Sequence, residues 1–373
     1  MLYTNADVFL PDGFRRCAFR AENGVFAAIL PDTDGADGVD LAGAKVLPGL
    51  VDLHVHGCMG ADCSDGDPAG LHRIAAYLAA HGITSFAPTT TTTPLAALSD
   101  ALAAIRDAAE HPTAGEARIA GAHMEGPFLS ERRKGAQNGM YLRQPDADLF
   151  AELQAASGNR IRIVDVAPEL PGAIAFAKTV SGHCTVSAAH TDADYDTAKA
   201  FFAAGATHLT HLFNAMPPIH HRAPGVIGAA SETDSVVAEL IADGFHVHPS
   251  AVRMAFRLFP DRICLASDAL RCCGMPDGAY SLGGQPIVLA DGVARLSDGT
   301  LAGSATNLFA CMRRAIRFGI PEAAAIRAAT AVPARQLGLY DRIGSIEVGK
   351  AADFLVCDQD LRLRRVALGG TFL

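Results

Sequence analysis

From Gly49 onward, short apolar runs alternate with Ala-rich stretches in which apolar residues recur every three to four positions. The first texture is that of strands covered on both faces; the second is that of helices packed by one stripe. Eight strand candidates result, at 51–56, 83–88, 119–125, 161–167, 184–190, 206–211, 236–243 and 263–268. Helical periodicity falls between most of them, at 68–80, 94–110, 169–181, 192–204 and 249–259. Eight strands joined by crossover helices predict an α/β fold, a (β/α)8 barrel over 50–340.

The flanks have a different pattern. Residues 1–49 read as short β segments broken at Asp12-Gly13, Asn23-Gly24, Asp34-Gly35 and Asp37-Gly38, with no helical period. Residues 341–373 return to short β segments, so 1–49 and 341–373 are expected to build one small β-sandwich-like domain, completed only after the barrel is made. Gly-rich, strand-like residues 277–303 predict β-hairpins inserted after the eighth strand.

Composition narrows the classes. At 50% hydrophobic residues the 373-residue chain can bury one large and one smaller core, which excludes low-complexity disorder. A net charge of −9 argues against the broad cationic face a nucleic-acid binder needs, while leaving room for a locally positive pocket. The start MLYTNADVFL is not basic, and no uncharged apolar run of about 18 residues occurs. A soluble, cytoplasmic protein with no membrane partner is expected. Nine scattered cysteines, an odd number, read as reduced thiols, and Cys58/Cys63 and Cys272/Cys273 lack the paired C-x2-C spacing of a structural zinc site.

Ionisable residues collect at the predicted C-terminal ends of strands, where barrels of this class build their sites. The first strand ends His54-x-His56, the third His123-x-Glu125, the fifth at His190, the sixth at His211 and the eighth at Asp268. Residues i and i+2 of a strand face one side, so His54 and His56 can share a cation. Imidazole and carboxylate suit a hydrolytic Zn, Fe, Mn or Co site that keeps a position open for water. Single motifs discriminate poorly: His-x-His recurs at His246-x-His248, and His123-x-Glu125 lacks the P-C-x-x-C of a zinc deaminase. Gly344 to Lys350 matches a phosphate-binding loop until Ala351 replaces its Ser or Thr, and reads as a turn. Five strand ends bearing such residues together carry the argument.

The segments PGLVDLHVHG (48–57), HMEGPF (123–128), VSAAHTDA (186–193), THLFNAMPP (210–218), RAPG (222–225), ADGFHV (242–247), SDAL (267–270) and LAGS (301–304) resemble, in order, the N-acetylglucosamine-6-phosphate deacetylases of the amidohydrolase superfamily. The resemblance implies a sugar-phosphate substrate, a homodimer and one or two divalent metals per subunit. It implies Glu125, His190 and His211 as ligands of the principal metal, His54 and His56 as the pair for a second, and Asp268 as the catalytic acid/base. Ala136, Gln137, Asn214, Ala215, Arg222, Asp243, Gly244, Phe245, His246, Leu301, Ala302 and Gly303 would line the substrate pocket, with Arg222 reaching across a dimer interface. One departure stands out: many relatives carry Lys-Gly-Ala-His where this chain has Lys134-Gly135-Ala136-Gln137.

Rival readings are separable. Cyclic-amide and nucleobase amidohydrolases bridge two metals with a modified lysine on the fourth strand, and 161–167 has none. An N-acetylgalactosamine-6-phosphate deacetylase differs only in one sugar hydroxyl. A silent scaffold would be expected to lose ligands, and Glu125, His190, His211 and Asp268 are all present.

Overall fold

A computed structural model describes residues 1–31 and 37–373; the turn expected at Asp34-Gly35 lies outside them. Strands from both ends of the chain form one seven-stranded sheet. Its order is 371–372, 363–368, 354–357, 39–48, 2–10, 13–22 and 25–31. The strand Val39–Pro48 is the seam, antiparallel to Phe354–Cys357 through Leu47↔Leu355 and parallel to Leu2–Leu10 through Val46↔Val8. Asn23 and Gly24 both have positive φ, 51° and 79°, as a tight hairpin turn requires. The buried rings of Tyr3, Phe19, Phe26 and Phe354 pack on one face of this sheet, with Tyr3–Phe19 centroids 5.0 Å apart.

The barrel follows. Its parallel strands are Leu50–Val55, Ile83–Thr90, Ala122–Phe128, Ile161–Val166, Thr185–Ala188, His208–Leu209, Val237–Ile241 and Ile263–Ala266, hydrogen-bonded in sequence order. The eighth strand closes on the first, where the Asp268 N–H donates to the His54 carbonyl at 3.0 Å and Val55 bridges Ala269. All eight predicted strands are present, and the fifth and sixth are shorter than expected because the backbone turns over at their ends. His190 and His211 have φ of 43° and 33°, outside any ladder. The third strand begins at Ala122 rather than 119; Ile119 instead pairs with Phe86 of the second.

The helix Pro68–Ala80 shows why the Ala-rich stretches pack as predicted. Asp67 caps it by accepting from the Ala69 N–H at 3.0 Å, and Pro68 occupies the first turn, where its missing N–H costs nothing. Leu71, Ile74, Ala75 and Leu78 form one buried stripe against the barrel, each large side chain contributing about 1.5–3 kcal/mol. Helices at 95–110, 195–203 and 249–258 lie within a few residues of expectation. The one expected at 169–181 begins only at Ala173, after Gly172 in a left-handed conformation.

Residues 278–304 form a four-stranded antiparallel sheet. Its last strand, Leu301–Ser304, is stitched to the end of the eighth barrel strand. The Ser304 N–H donates to Asp268 O at 2.7 Å, and the Leu270 N–H to Ser304 O at 2.9 Å. The insertion thus forms a wall at the C-terminal mouth of the barrel. Among the described residues, no helix is long and apolar enough to cross a membrane.

Candidate active site

At that mouth the strand ends bring Glu125, His190 and His211 together. Glu125 Oε1 lies 3.0 Å from His190 Nε2 and 3.2 Å from His211 Nε2, and the two imidazole nitrogens are 3.0 Å apart. Beside them, His54 Nε2 is 3.2 Å from His56 Nε2, and Asp268 Oδ1 lies 3.5 and 3.3 Å from the two. Glu125 joins the groups, its Oε2 standing 3.0 Å from His56 Nε2. All six side chains are buried.

The backbone is bent to achieve this. His190, His211 and Asp268 are non-glycine residues in the left-handed region, the last with φ of 49°. Such conformations cost about 1–3 kcal/mol each and persist where surrounding structure imposes them, often at functional sites. Here the turn aims each side chain from its strand end toward the barrel axis.

The donor chemistry fits a divalent cation. His190 Nδ1 donates to the Arg133 carbonyl at 2.8 Å, so in the neutral ring Nε2 carries a lone pair facing the lone pairs of Glu125 Oε1. His54 Nδ1 likewise meets the Glu239 carboxylate at 2.8 Å, turning its Nε2 toward His56 and Asp268. With the rings neutral, a positive centre between these atoms relieves the lone-pair repulsion, and carboxylate or carbonyl partners on the far ring nitrogen are the usual support of a metal-binding histidine. Separations of 3.0 to 3.2 Å are also close to the edges, about 3.3–3.4 Å, of a tetrahedron with ligands at about 2.0–2.1 Å. Three such groups are present among the described residues: Glu125/His190/His211, His54/His56/Asp268 and His54/His123/Glu239, none with a cysteine.

Electrostatics agree. Burial alone would raise the Asp268 and Glu125 carboxyls, but the His54 and His56 imidazoles outweigh it and hold both below their ordinary values. Burial works against a charged His56, yet Glu125 and Asp268 push it up to about 10. A cation entering this set competes with protons on those rings.

A cavity of about 240 Å³ opens over the groups. His56, Glu125, His190, His211 and Asp268 form its floor, and Ala136, Gln137, Asn214, Ala215, His246, Leu301, Ala302 and Gly303 line it. His54 sits behind His56 and does not reach it. Both nitrogens of His246 meet acceptors, Asp243 Oδ2 at 2.7 Å and Ala302 O at 2.8 Å, so both must donate and the ring is an imidazolium. Burial would discharge it; the Asp243 carboxylate prevails and raises its pKa.

Several residues fall elsewhere. Asp243 supports His246 from outside the cavity, Gly244 is not in its wall, and Phe245 is exposed. Arg222 lines a separate, open cleft with Asp192, Tyr195 and Glu232, its Nη1 donating to His221 Nε2 at 2.7 Å. Sequence reasoning missed Leu282 and Thr300, supplied to the wall by the insertion, and the supporting groups Glu239, Thr91 and Thr92. The run of five threonines, Thr89 to Thr93, at the end of the second strand was the available signal.

The amidohydrolase family model matches residues 45–370. The chain is 37% identical over 354 residues to the N-acetylglucosamine-6-phosphate deacetylase of Vibrio furnissii, covering 94% of this chain and 88% of that one. It is 36% identical over 354 residues to the N-acetylgalactosamine-6-phosphate deacetylase of Escherichia coli O157:H7, covering 94% and 93%. An Asp-to-Ala mutant of the N-acetyl-D-glucosamine-6-phosphate deacetylase of Mycobacterium smegmatis, solved in complex with N-acetyl-D-glucosamine-6-phosphate, superposes with a TM-score of 0.94 at 33% identity, over 100% of this chain and 98% of that one. By sequence and by fold, this chain belongs to the amidohydrolase family and, within it, to the N-acetylglucosamine-6-phosphate deacetylases.

Proposed function

We propose that this chain hydrolyses the N-acetyl group of N-acetyl-D-glucosamine 6-phosphate to glucosamine 6-phosphate and acetate, a step of amino-sugar catabolism. The observation that carries the reading is one cavity holding an ionised aspartate against a converged carboxylate–imidazole set. Glu125, His190 and His211 would hold a divalent cation, with His54 and His56 ready for a second. Such a cation, when bound, lowers the pKa of water from 15.7 to about 7 and polarises a carbonyl.

The chain's own residues do the rest. Asp268 Oδ1 faces His54 and His56, which leaves Oδ2 to take the proton of the attacking water and return it to the departing amine. Leu301 to Gly303 and Leu282 form the wall of the cavity in which the scissile amide would lie. The His246 imidazolium supplies positive charge to an anionic substrate, and Asn214 with the Ala215 backbone offers polar contacts to it. We read Arg222, remote from its own cavity, as serving the neighbouring subunit of a homodimer. The nature of the cation follows availability among Zn, Fe, Mn and Co.

Acetate release from N-acetylglucosamine 6-phosphate, before and after chelation and with metal content measured in parallel, tests this reading. Release that stops on chelation and returns with metal is expected; no metal and no acetate would remove it. Similarity to the galactosamine-type relative is nearly as high, so release from only that epimer would assign the chain to N-acetylgalactosamine 6-phosphate instead.

A further inference from the structure

Gln137, only 4% exposed, sits in the turn after the third barrel strand with three hydrogen bonds whose directions are not interchangeable. The Thr92 backbone N–H can only donate, so the side-chain atom 2.8 Å from it is the oxygen Oε1. The Thr91 hydroxyl donates to that same oxygen at 2.7 Å. Nε2 is thereby turned to Oε2 of Glu125, which can only accept, at 2.7 Å. The partners themselves define which end of the amide is which.

Glu125 belongs to one ligand group and touches the other. Its Oε1 meets His190 and His211, and its Oε2 faces His56. The last torsion of a glutamate side chain is broad and roughly two-fold, so nothing intrinsic to Glu125 decides which way its plane lies. Besides the imidazoles on Oε1 and Oε2, the shortest bond that fixes this plane is the one from Gln137 to Oε2. Around the amide the structure is braced from three sides. The Gln137 N–H donates to Lys134 O at 2.9 Å, and Gln285 of the insertion donates to Ala136 O at 2.6 Å. Gly126, with φ of 93°, lets the third strand approach Thr92 so closely that a Cβ there would stand 2.2 Å from its hydroxyl.

We propose that Gln137 is a positioning residue. Held by Thr91 and Thr92, it locks the Glu125 carboxylate with Oε1 toward His190 and His211, and the metal affinity of that group depends on the lock. A neutral amide does this without placing a positive charge beside the cation. The inference rests on reading the Glu125 group as a metal site, and its test separates the two.

Purified protein would be stripped with a chelator and titrated with Zn²⁺ in competition with a chromophoric chelator, as wild type, Gln137→Leu and Thr91→Val. Thermal unfolding of each metal-free protein runs in parallel. Loss of a hydrogen-bonded support behind a metal ligand typically weakens affinity about 10- to 100-fold, which is the loss expected for Gln137→Leu. Thr91→Val, which removes one of the two bonds fixing the amide oxygen, should weaken binding less and in the same direction. Should Gln137→Leu not fold, the threonine variant carries the test alone. Zn²⁺ affinity equal to wild type in the folded variants would overturn the proposal, even where metal-free stability falls, since Gln137 would then be structural only. A wild type that takes up no Zn²⁺ would overturn the metal-site reading itself, and the proposal with it.

Discussion

Asp268 owes its position to a strained backbone and its charge to two imidazoles. Replacing it with Asn keeps the shape and removes the base. With proton transfer by a positioned side chain contributing about 10²–10⁴-fold, Asp268→Asn should lower kcat by that order while the unfolding midpoint and the metal held by Glu125, His190 and His211 stay near wild type. The pair Asp243–His246 allows a check by pH. His246 is raised above 6.5, so its stabilising contribution is complete below that pH and is lost as pH rises through its raised value. Asp243 is lowered from 3.8, so its contribution is present above that pH and is lost as pH falls through the depressed value. In Asp243→Asn the imidazole should therefore titrate at lower pH than in wild type, read from the ring proton shifts of His246. An unchanged midpoint would mean that some other acceptor keeps the ring charged.

At the scale of elements, the four-stranded insertion completes the site rather than decorating it. Its strand Leu301–Ser304 passes so close to the eighth barrel strand that a Cβ on Gly303 would lie 2.5 Å from Asp268 O and 2.8 Å from Asp268 Oδ1. Only glycine permits that approach. Gly303→Ala should push Asp268 aside, and because misplacement by about 1 Å can cost 10²-fold, kcat is expected to fall on that order with little change in metal content. Barrel strands and helices were readable from their periods, since burial on two faces or along one stripe is a local property of the chain. The insertion was readable as hairpins, but its role was not. Nothing local in YSLGGQPIVLADGVARLSDGTLAG tells where Leu282, Gln285 or Gly303 will dock.

On the scale of the whole molecule, the chain ends where it began. The Tyr3 hydroxyl donates to Gly370 O at 2.6 Å, across 367 residues, inside the aromatic cluster of the terminal sheet. Tyr3→Phe leaves that buried carbonyl unpaired and should destabilise the protein by about 1–3 kcal/mol in urea unfolding, with kinetic constants unchanged because the barrel mouth is untouched. Lys45, on the seam strand, pairs with Glu322 of a barrel helix at 2.8 Å, tying the sheet to the barrel. Arg222 belongs to this scale as well. If it serves a second subunit, Arg222→Ala should raise KM for the 6-phosphate sugar more than it lowers kcat; an unchanged KM would remove it from the substrate site.

By itself the sequence determined the barrel, the two β flanks and the chemistry gathered at the strand ends. These follow from period-2 and period-3.6 patterning, which depends on neighbours a few residues away. Glu125, His190, His211 and Asp268 were legible because their strand ends could be counted. Tertiary structure alone decided which nitrogen of each imidazole faces the site. That choice rests on partners such as Glu239 for His54, 185 residues distant, and the Arg133 carbonyl for His190, 57 residues distant. It alone placed Thr91 and Thr92 behind Gln137, turned Gln137 toward Glu125 and set Arg222 outside its own cavity. A hydrogen bond between remote side chains forms only once strand order and closure bring its ends within 3 Å or so, and no local pattern carries that information.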